Sequence, residues 1–392
     1  MTPQPHQVRA TKKLLKKLKK HKLAILSGQP RSGKTISFLM LSKHYKNVLV
    51  VTQKSALSDI TKAVLSLGLK VTLTNYHQVK NLTPSSEPYD LVVLDESHRW
   101  IGGYPKMSQL WKDLKHVTTN SHIVFSSGTL TPETYANLYP TLSLSSWSPW
   151  KRFQEVRLDW QFNRWFAEYG HPYKIKINGF DVPKYDRMKD KKIFKEVNKY
   201  VVSITRAEGG HVHEAVDKLH RVTLPKQQTE FIKKLKKKLY VEKGSRLFLG
   251  DTPAKMSQKL RQVSGGFIKD EEEKVYSFKE NPKVEYIKRN FNPKTTIILA
   301  YFKAEQEYIK SIFPHTGSTT RNSEGVDYSH FKDMVIYSHP FASSTYIQVR
   351  ARQMNINRKD PITVHFLIAG DIDQHVYDVA TGKEKFTRRW YE

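Results

Sequence analysis

Over the first 140 residues, short apolar runs alternate with stretches whose apolar positions recur at helical spacing. The runs at Leu23–Leu26, Asn47–Thr52, Lys70–Leu73, Leu91–Leu94 and His122–Ser126 predict strands. Thr11–Lys20, Lys34–His44 and Ala56–Leu67 predict the helices between them. This alternation is the pattern of a parallel α/β sheet. It stops at residue 141. Residues 141–222 are rich in Trp, Tyr, Phe, Lys and Asp without regular alternation, and read as an insertion or helical connector. From Leu224 the pattern resumes, with helices expected near Lys226–Val241, Ala254–Val263 and Val284–Phe291. Strands are expected near Thr295–Tyr301, Met334–Ser338 and Ile362–Ile368. The expected division is therefore 1–140, 141–222 and 223–392.

Composition narrows the class. The chain has 392 residues, 38% of them hydrophobic, and no run long enough to span a bilayer. Its polar, proline-containing start has no apolar segment behind it, so neither a secretory signal nor a membrane partner is expected. The absence of cysteine excludes disulfides and thiolate metal sites. His211-Val212-His213 lacks a third metal ligand in view. The 66 Lys and Arg against 37 Asp and Glu give a net charge of +29. Such a field draws polyanions, nucleic acid first among them. The lysine-rich run Lys12–Lys22 places Leu14, Leu15 and Leu18 on one helical side, leaving its lysines as a solvated face or as phosphate contacts. The tryptophans at 147, 150, 160 and 165 are either the core of an insertion or a base-stacking surface.

Two motifs carry chemistry. Gly28-Gln29-Pro30-Arg31-Ser32-Gly33-Lys34-Thr35 matches G-x-x-x-x-G-K-[ST], entered by an apolar strand and left by a helix. In that motif backbone N–H groups wrap phosphates, the lysine reaches the β- and γ-phosphates and the hydroxyl ligates magnesium. Lys34 and Thr35 take those roles. Sixty residues on, the apolar run ending at Leu94 leads into Asp95-Glu96-Ser97-His98. An acid at the carboxyl end of a neighbouring strand suits the outer-shell partner of a nucleotide-bound magnesium, and Asp95 fits. Glu96 can orient and deprotonate the attacking water. ATP and Mg²⁺ are the expected cofactors.

Asp95-Glu96-Ser97-His98 resembles the DEAH/DExH box of superfamily 2 helicases and translocases. Further segments resemble that family in order. The resemblance implies that Gln7, in Pro5-His6-Gln7, reads the adenine base. Val50–Leu57 is similar to motif Ia and Thr74-Asn75-Tyr76 to motif Ib, implying that Lys54, Ser55, Asn75 and Tyr76 touch nucleic acid. Ser126-Ser127-Gly128-Thr129 resembles the S/T-G-T element that couples hydrolysis to movement, implying that role for Ser127, Gly128 and Thr129. Ser323-Glu324-Gly325-Val326-Asp327 looks like motif V, and Gln348-Val349-Arg350-Ala351-Arg352 like the start of motif VI, implying catalytic roles for Gln348 and Arg352. Within the superfamily, Val201–Arg206, Lys259–Phe267 and Asp360–Leu367 resemble the Swi/Snf-type branch and its short phage-encoded members.

The resemblance implies two RecA-like P-loop lobes with parallel sheets, joined by the aromatic-rich helical connector. It implies an ATP-dependent motor on DNA, with duplex favoured and RNA open, acting as a monomer in the cytoplasm (the host's, for a phage protein). A strand-separating helicase and an ATP-gated clamp with little turnover stay open as alternatives. The connector is the segment with room for a strand-separating element. In two places the chain departs from the family. Only a few residues separate Thr316-Gly317-Ser318 from motif V, where a helix and a strand are usual. Motif VI normally carries a second arginine three residues after the first, and here Asn355 stands there. Arg352 and Arg358 are left as the candidates for the arginine that meets the γ-phosphate.

Overall fold

The computed structural model describes residues 2–82, 88–128, 130–131, 134–177, 179–210, 213–320, 327–355, 358 and 360–382. The chain forms two compact units that meet in sequence at residues 211 and 212.

The first unit contains β1 (Leu23–Gly28), β2 (Val48–Thr52), β3 (Thr72–Asn75), β4 (Leu91–Asp95), β5 (His122–Ser127), β6 (Tyr173–Ile177), β7 (Phe180–Lys184) and β8 (Val201–Ile204). Its helices are α1 (Pro5–His21), α2 (Lys34–Leu39), α3 (Leu57–Ser66), α4 (Ser97–Trp100), α5 (Gln109–Thr118), α6 (Leu138–Leu142), α7 (Leu158–Tyr169) and α8 (Asp190–Val197). Six strands form one parallel sheet in the order β3-β2-β4-β5-β1-β8. β1, β2 and β4 are buried along their whole length, which explains why they read as unbroken apolar runs. Helix α1 buries Ala10, Leu14 and Leu18 and leaves Lys12, Lys13, Lys16, Lys19 and Lys20 in solvent. Its lysine run is thus the solvated side of an amphipathic helix.

The connector expected at 141–222 is not a separate body. Its aromatic residues cover one face of the first sheet: Trp150 and Trp165 are fully buried with Tyr139, Phe162 and Tyr169 against Ile25, Val51, Leu94 and Phe125. The insertion-core reading holds for these two tryptophans, whereas Trp160 is largely exposed. Truncating either buried ring to alanine should cost roughly 3–5 kcal/mol. Val201–Ile204, similar in sequence to an inter-lobe linker, is instead the sixth strand of the first sheet, paired with β1. Aromatic side chains with no period of their own pack by shape, and hydrophobic periodicity could not reveal their destination.

The second unit contains β9 (Ala215–Arg221), β10 (Tyr240–Lys243), β11 (Arg246–Leu249), β12 (Phe267–Lys269), β13 (Val275–Ser277), β14 (Thr296–Ala300), β15 (Thr316–Ser318), β16 (Asp333–Ile336) and β17 (Ile362–Ile368). Its helices are α9 (Lys226–Lys238), α10 (Pro253–Ser264), α11 (Pro282–Asn290), α12 (Lys303–Lys310), α13 (Ser343–Arg350) and α14 (Asp371–Gly382). Five strands form a parallel sheet in the order β15-β14-β16-β17-β9. Strand β9, inside the expected connector, is its edge. Helix α9 stops three residues short of its expected end because Leu239 turns left-handed (φ 65°), and Tyr240–Lys243 pairs with Arg246–Leu249 about Gly244. Among the described residues, no helix is long and apolar enough to cross a membrane.

Candidate phosphate-binding site

The site lies where β1, β4 and β5 of the first unit end. Beyond β1 the chain turns through residues 28–33 into α2, with Gly33 at φ 88°. The loop is held from two sides. On one, Gln29 N–H donates to Ile204 O (3.2 Å) and its side-chain oxygen accepts from Arg206 N–H (2.8 Å). A Cβ on Gly28 would fall 2.4 Å from the Ile204 side chain and 2.5 Å from that of Lys34, so only glycine fits there. On the other side, α1 places His6 Nε2 3.1 Å from Ser32 O and sets the Gln7 amide against Gly33. Gln7 is buried beside the loop, and its side-chain oxygen accepts from Gln4 N–H (2.8 Å), capping α1. Ser32 Oγ is buried with no hydrogen-bond partner among the described residues. Pro30, Arg31 and Thr35 are half-buried along the same turn.

Lys34 is 8% exposed, and its ammonium donates to Gly28 O (2.9 Å) and Gln29 O (3.3 Å). It stands 3.9 Å from Glu96 Oε1. Asp95 is fixed by Thr52 Oγ1 (3.0 Å) at the end of β2 and by Ser126 Oγ (3.1 Å) on β5, while Tyr76 OH donates to its backbone oxygen (2.7 Å). Burial, then the neighbouring Glu96 carboxylate, push the Asp95 carboxyl up to about 6; Lys34 and the two hydroxyls oppose this. Glu96 adopts a left-handed backbone (φ 48°), rare for glutamate and a form of local strain found at functional sites. Its Oε2 accepts from Gly128 N–H (3.3 Å) and lies 3.5 Å from His98 Nδ1. His98 shares a 2.7 Å hydrogen bond with Ser127 Oγ, and burial lowers its pKa to about 4, so the ring is neutral at pH 7.

The structure therefore brings together Lys34, Asp95, Glu96, Ser127 and Gly128. The sequence did not reveal the bonds of Thr52 and Ser126 to Asp95 or the His98–Ser127 bond, whose partners lie about 30 to 40 residues apart in the chain. A buried acid beside a second carboxylate suits a cation, and the Asp95 carboxylate and Thr35 hydroxyl are hard oxygen donors of the kind magnesium takes.

The other candidates fall into place unevenly. Lys54 and Ser55 are exposed just beyond β2. Tyr76 is 2% exposed and stacked on Trp100 (centroids 5.1 Å, 13° between planes), with its hydroxyl on the Asp95 backbone oxygen. Asn75 is also buried, its side-chain oxygen accepting from His77 N–H. In the second unit Gln348 is buried on α13 and Arg352 is half-buried in the turn after it. Arg358 donates to Ser329 O, Phe331 O and Lys332 O at 3.1–3.3 Å, tying down the segment before β16. Asn355 bonds Ser329 Oγ (3.2 Å) and Asp327 (3.5 Å). Thr129, Ser323–Val326 and His211 lie outside the described residues. Among those described, no group of three or more His, Asp or Glu is placed to hold a metal.

No protein-family model matches the chain, and no curated protein matches it.

Proposed function

We propose that the chain is a nucleic-acid-dependent ATPase of two RecA-like lobes, a superfamily 2 motor of the Swi/Snf type that couples ATP hydrolysis to movement on duplex DNA. The observation supporting it is the convergence of Lys34, Asp95, Glu96 and Gly128 at one sheet edge, beneath a glycine-rich turn. In this reading the loop amides and Lys34 hold the triphosphate, with Lys34 exchanging the carbonyls of Gly28 and Gln29 for phosphate oxygens. Thr35 would ligate magnesium with Asp95 as its outer-shell partner, and the ion would supply positive charge to the triphosphate. Glu96 takes the proton of the attacking water. Its bond from Gly128 N–H, and the His98–Ser127 bond beside it, tie the base to the segment after β5. Arg352 takes the place of the first motif VI arginine in this reading, and would supply the positive charge for the transition state.

The net charge of +29 suits binding led by backbone phosphates, with little sequence preference. The test is steady-state ATP turnover with duplex DNA, single-stranded DNA and RNA in parallel. Duplex DNA should stimulate most. Stimulation by single strands alone would favour a strand-bound helicase, and slow, flat turnover with all three would favour a clamp.

A further inference from the structure

At one margin of the second sheet the carboxyl ends of β9 and β17 lie side by side, with Leu367 opposite His220 and Ile368 opposite Arg221. The chain leaves β9 through Val222 and Leu224 into α9, and leaves β17 through Ala369 and Gly370 into α14. Helix α9 turns its side chains two ways. Phe231 and Leu235 are buried in a small cluster with Phe248, Val263 and Ile268. Thr229, Ile232, Lys233 and Lys236 fall at i, i+3, i+4 and i+7, one stripe of the helix, and this stripe borders a hollow of about 420 Å³.

Val222, Leu224, Ile232, Leu260 and Ile372 wall the hollow, so its lining is mainly aliphatic. Leu260 is buried and the other four are half-buried, although no described side chain fills the space between them. Water there finds few hydrogen-bond partners, and an apolar group gains by displacing it. The volume is that of a site for one small molecule. Its place, outside the carboxyl ends of two parallel strands, is where α/β sheets take ligands.

The mouth of the hollow is charged. Lys233 and Lys236 are exposed at its rim, and neither pairs with a carboxylate among the described residues. Asp371, at the start of α14, is the one acid among the described residues of the lining. Two ammonium groups against one carboxylate leave the mouth positive, and the lysine stems extend the aliphatic wall towards solvent. An apolar floor below a positive rim calls for a ligand with an apolar body and a negative head.

We propose that this hollow is a binding site for a small amphipathic anion, a carboxylate or phosphate monoester on an aliphatic or single-ring body. The body fills the space between Ile232, Leu260 and Ile372, and the head lies between Lys233 and Lys236. The site belongs to the second unit, apart from the phosphate-binding turn, and stands independently of the motor reading.

Titration calorimetry on the full-length protein tests it, with octanoate, octyl phosphate, octanol and inorganic phosphate as probes. Octanoate or octyl phosphate should bind saturably, one per chain, and the tighter of the two identifies the head. Octanol lacks the charge and inorganic phosphate lacks the body, so each should bind about tenfold more weakly or worse. Lys233→Ala/Lys236→Ala should weaken the anion by about tenfold or more, the loss of its charged contacts. Asp371→Asn should tighten it, and Ile232→Trp, which puts a ring in the hollow, should abolish it. Lys12→Ala/Lys16→Ala removes the same charge from the solvated side of α1 and should leave binding unchanged. Equal weakening by that control would mean general attraction to a chain of net charge +29 and would overturn the site. So would the absence of saturable binding by either anion, or lysine variants of α9 that bind as wild type does. A photoreactive diazirine analogue of octanoate should label α9 and residues 369–372, and labelling confined to other segments would likewise contradict the proposal.

Discussion

Beyond the ends of β1 and β4, the first unit sets Lys34, Asp95 and Glu96 around a glycine-rich turn, with Lys34 bonded to carbonyls of the turn itself. Beyond the ends of β14, β16 and β17, the second unit also places a lysine among acids, but to the opposite effect. Lys283 is fully buried and donates to Tyr337 O (2.8 Å), and it pairs with Asp373 at 2.8 Å. Asp373 also accepts from Ser264 Oγ and Ala369 N–H, and Glu305 accepts from Ser338 Oγ and Phe302 N–H. Both edges collect charge where parallel strands end, the usual place for a ligand in an α/β sheet. Only the first edge has a lysine held by bonds that a phosphate could replace. In the second, protein groups fill the lysine's coordination and the network serves the fold.

Exchanging the two lysines for alanine separates these roles most sharply. Lys34→Ala should abolish ATP turnover and leave the melting temperature nearly unchanged. Lys283→Ala should destabilise by about 3–5 kcal/mol, because it strands Asp373 without its partner. Loss of stability without loss of turnover in Lys34→Ala would reverse the assignment.

The arginines extend the contrast into the second unit. On the proposed role of Arg352, Arg352→Ala should cost roughly a hundredfold or more in stimulated turnover while ATP still binds. Arg358→Ala should mainly lower stability, by about 1–3 kcal/mol, because three carbonyls lose their donor. If Arg358→Ala cripples turnover in a protein of wild-type stability, the catalytic arginine has moved along the chain.

Much of this contrast was visible in the sequence on one side only. The phosphate loop and the acidic box are local patterns closing short turns after buried strands, so eight and four consecutive residues announced them. Lys283 and Asp373 are separated by 90 positions, and no periodicity links them. The same holds for Thr52 and Ser126, which orient Asp95 from two other strands. β8 resembles an inter-lobe linker in sequence, and a short apolar run does not tell which sheet it joins. The β6–β7 hairpin did carry a signal: Asn178-Gly179 between Tyr173/Ile175/Ile177 and Phe180/Val182 is a turn dipeptide between alternating strands. In a segment so rich in aromatic residues that dipeptide does not stand out.

A smaller effect separates the buried acid of the second edge from ordinary carboxylates. Burial pushes the Glu305 carboxyl up to about 7, with Lys283 and the Ser338 and Phe302 hydrogen bonds opposing. With its folded pKa above the unfolded value near 4.5, the native state holds more protons across that interval, so this group's contribution to stability is full below about 4.5 and declines as pH rises towards 7. His365, lowered to about 4 mainly by burial, acts in the opposite direction, losing stability as pH falls below about 6.5. The difference in stability between wild type and Glu305→Gln isolates the first effect. It should favour wild type near pH 4.5 and shift steadily towards the variant up to pH 7. A pH-independent difference would place Glu305 outside the buried network.

The most direct test of the central claim is the Glu96→Gln variant, measured for equilibrium ATP binding and for duplex-stimulated turnover beside wild type. The change removes the proton acceptor and keeps Lys34, Thr35 and Asp95. ATP should bind as tightly as in wild type, and turnover should fall by about 10² or more. A variant that hydrolyses ATP near the wild-type rate would contradict the assignment of Glu96, and a wild-type protein with no turnover on any nucleic acid would contradict the motor itself.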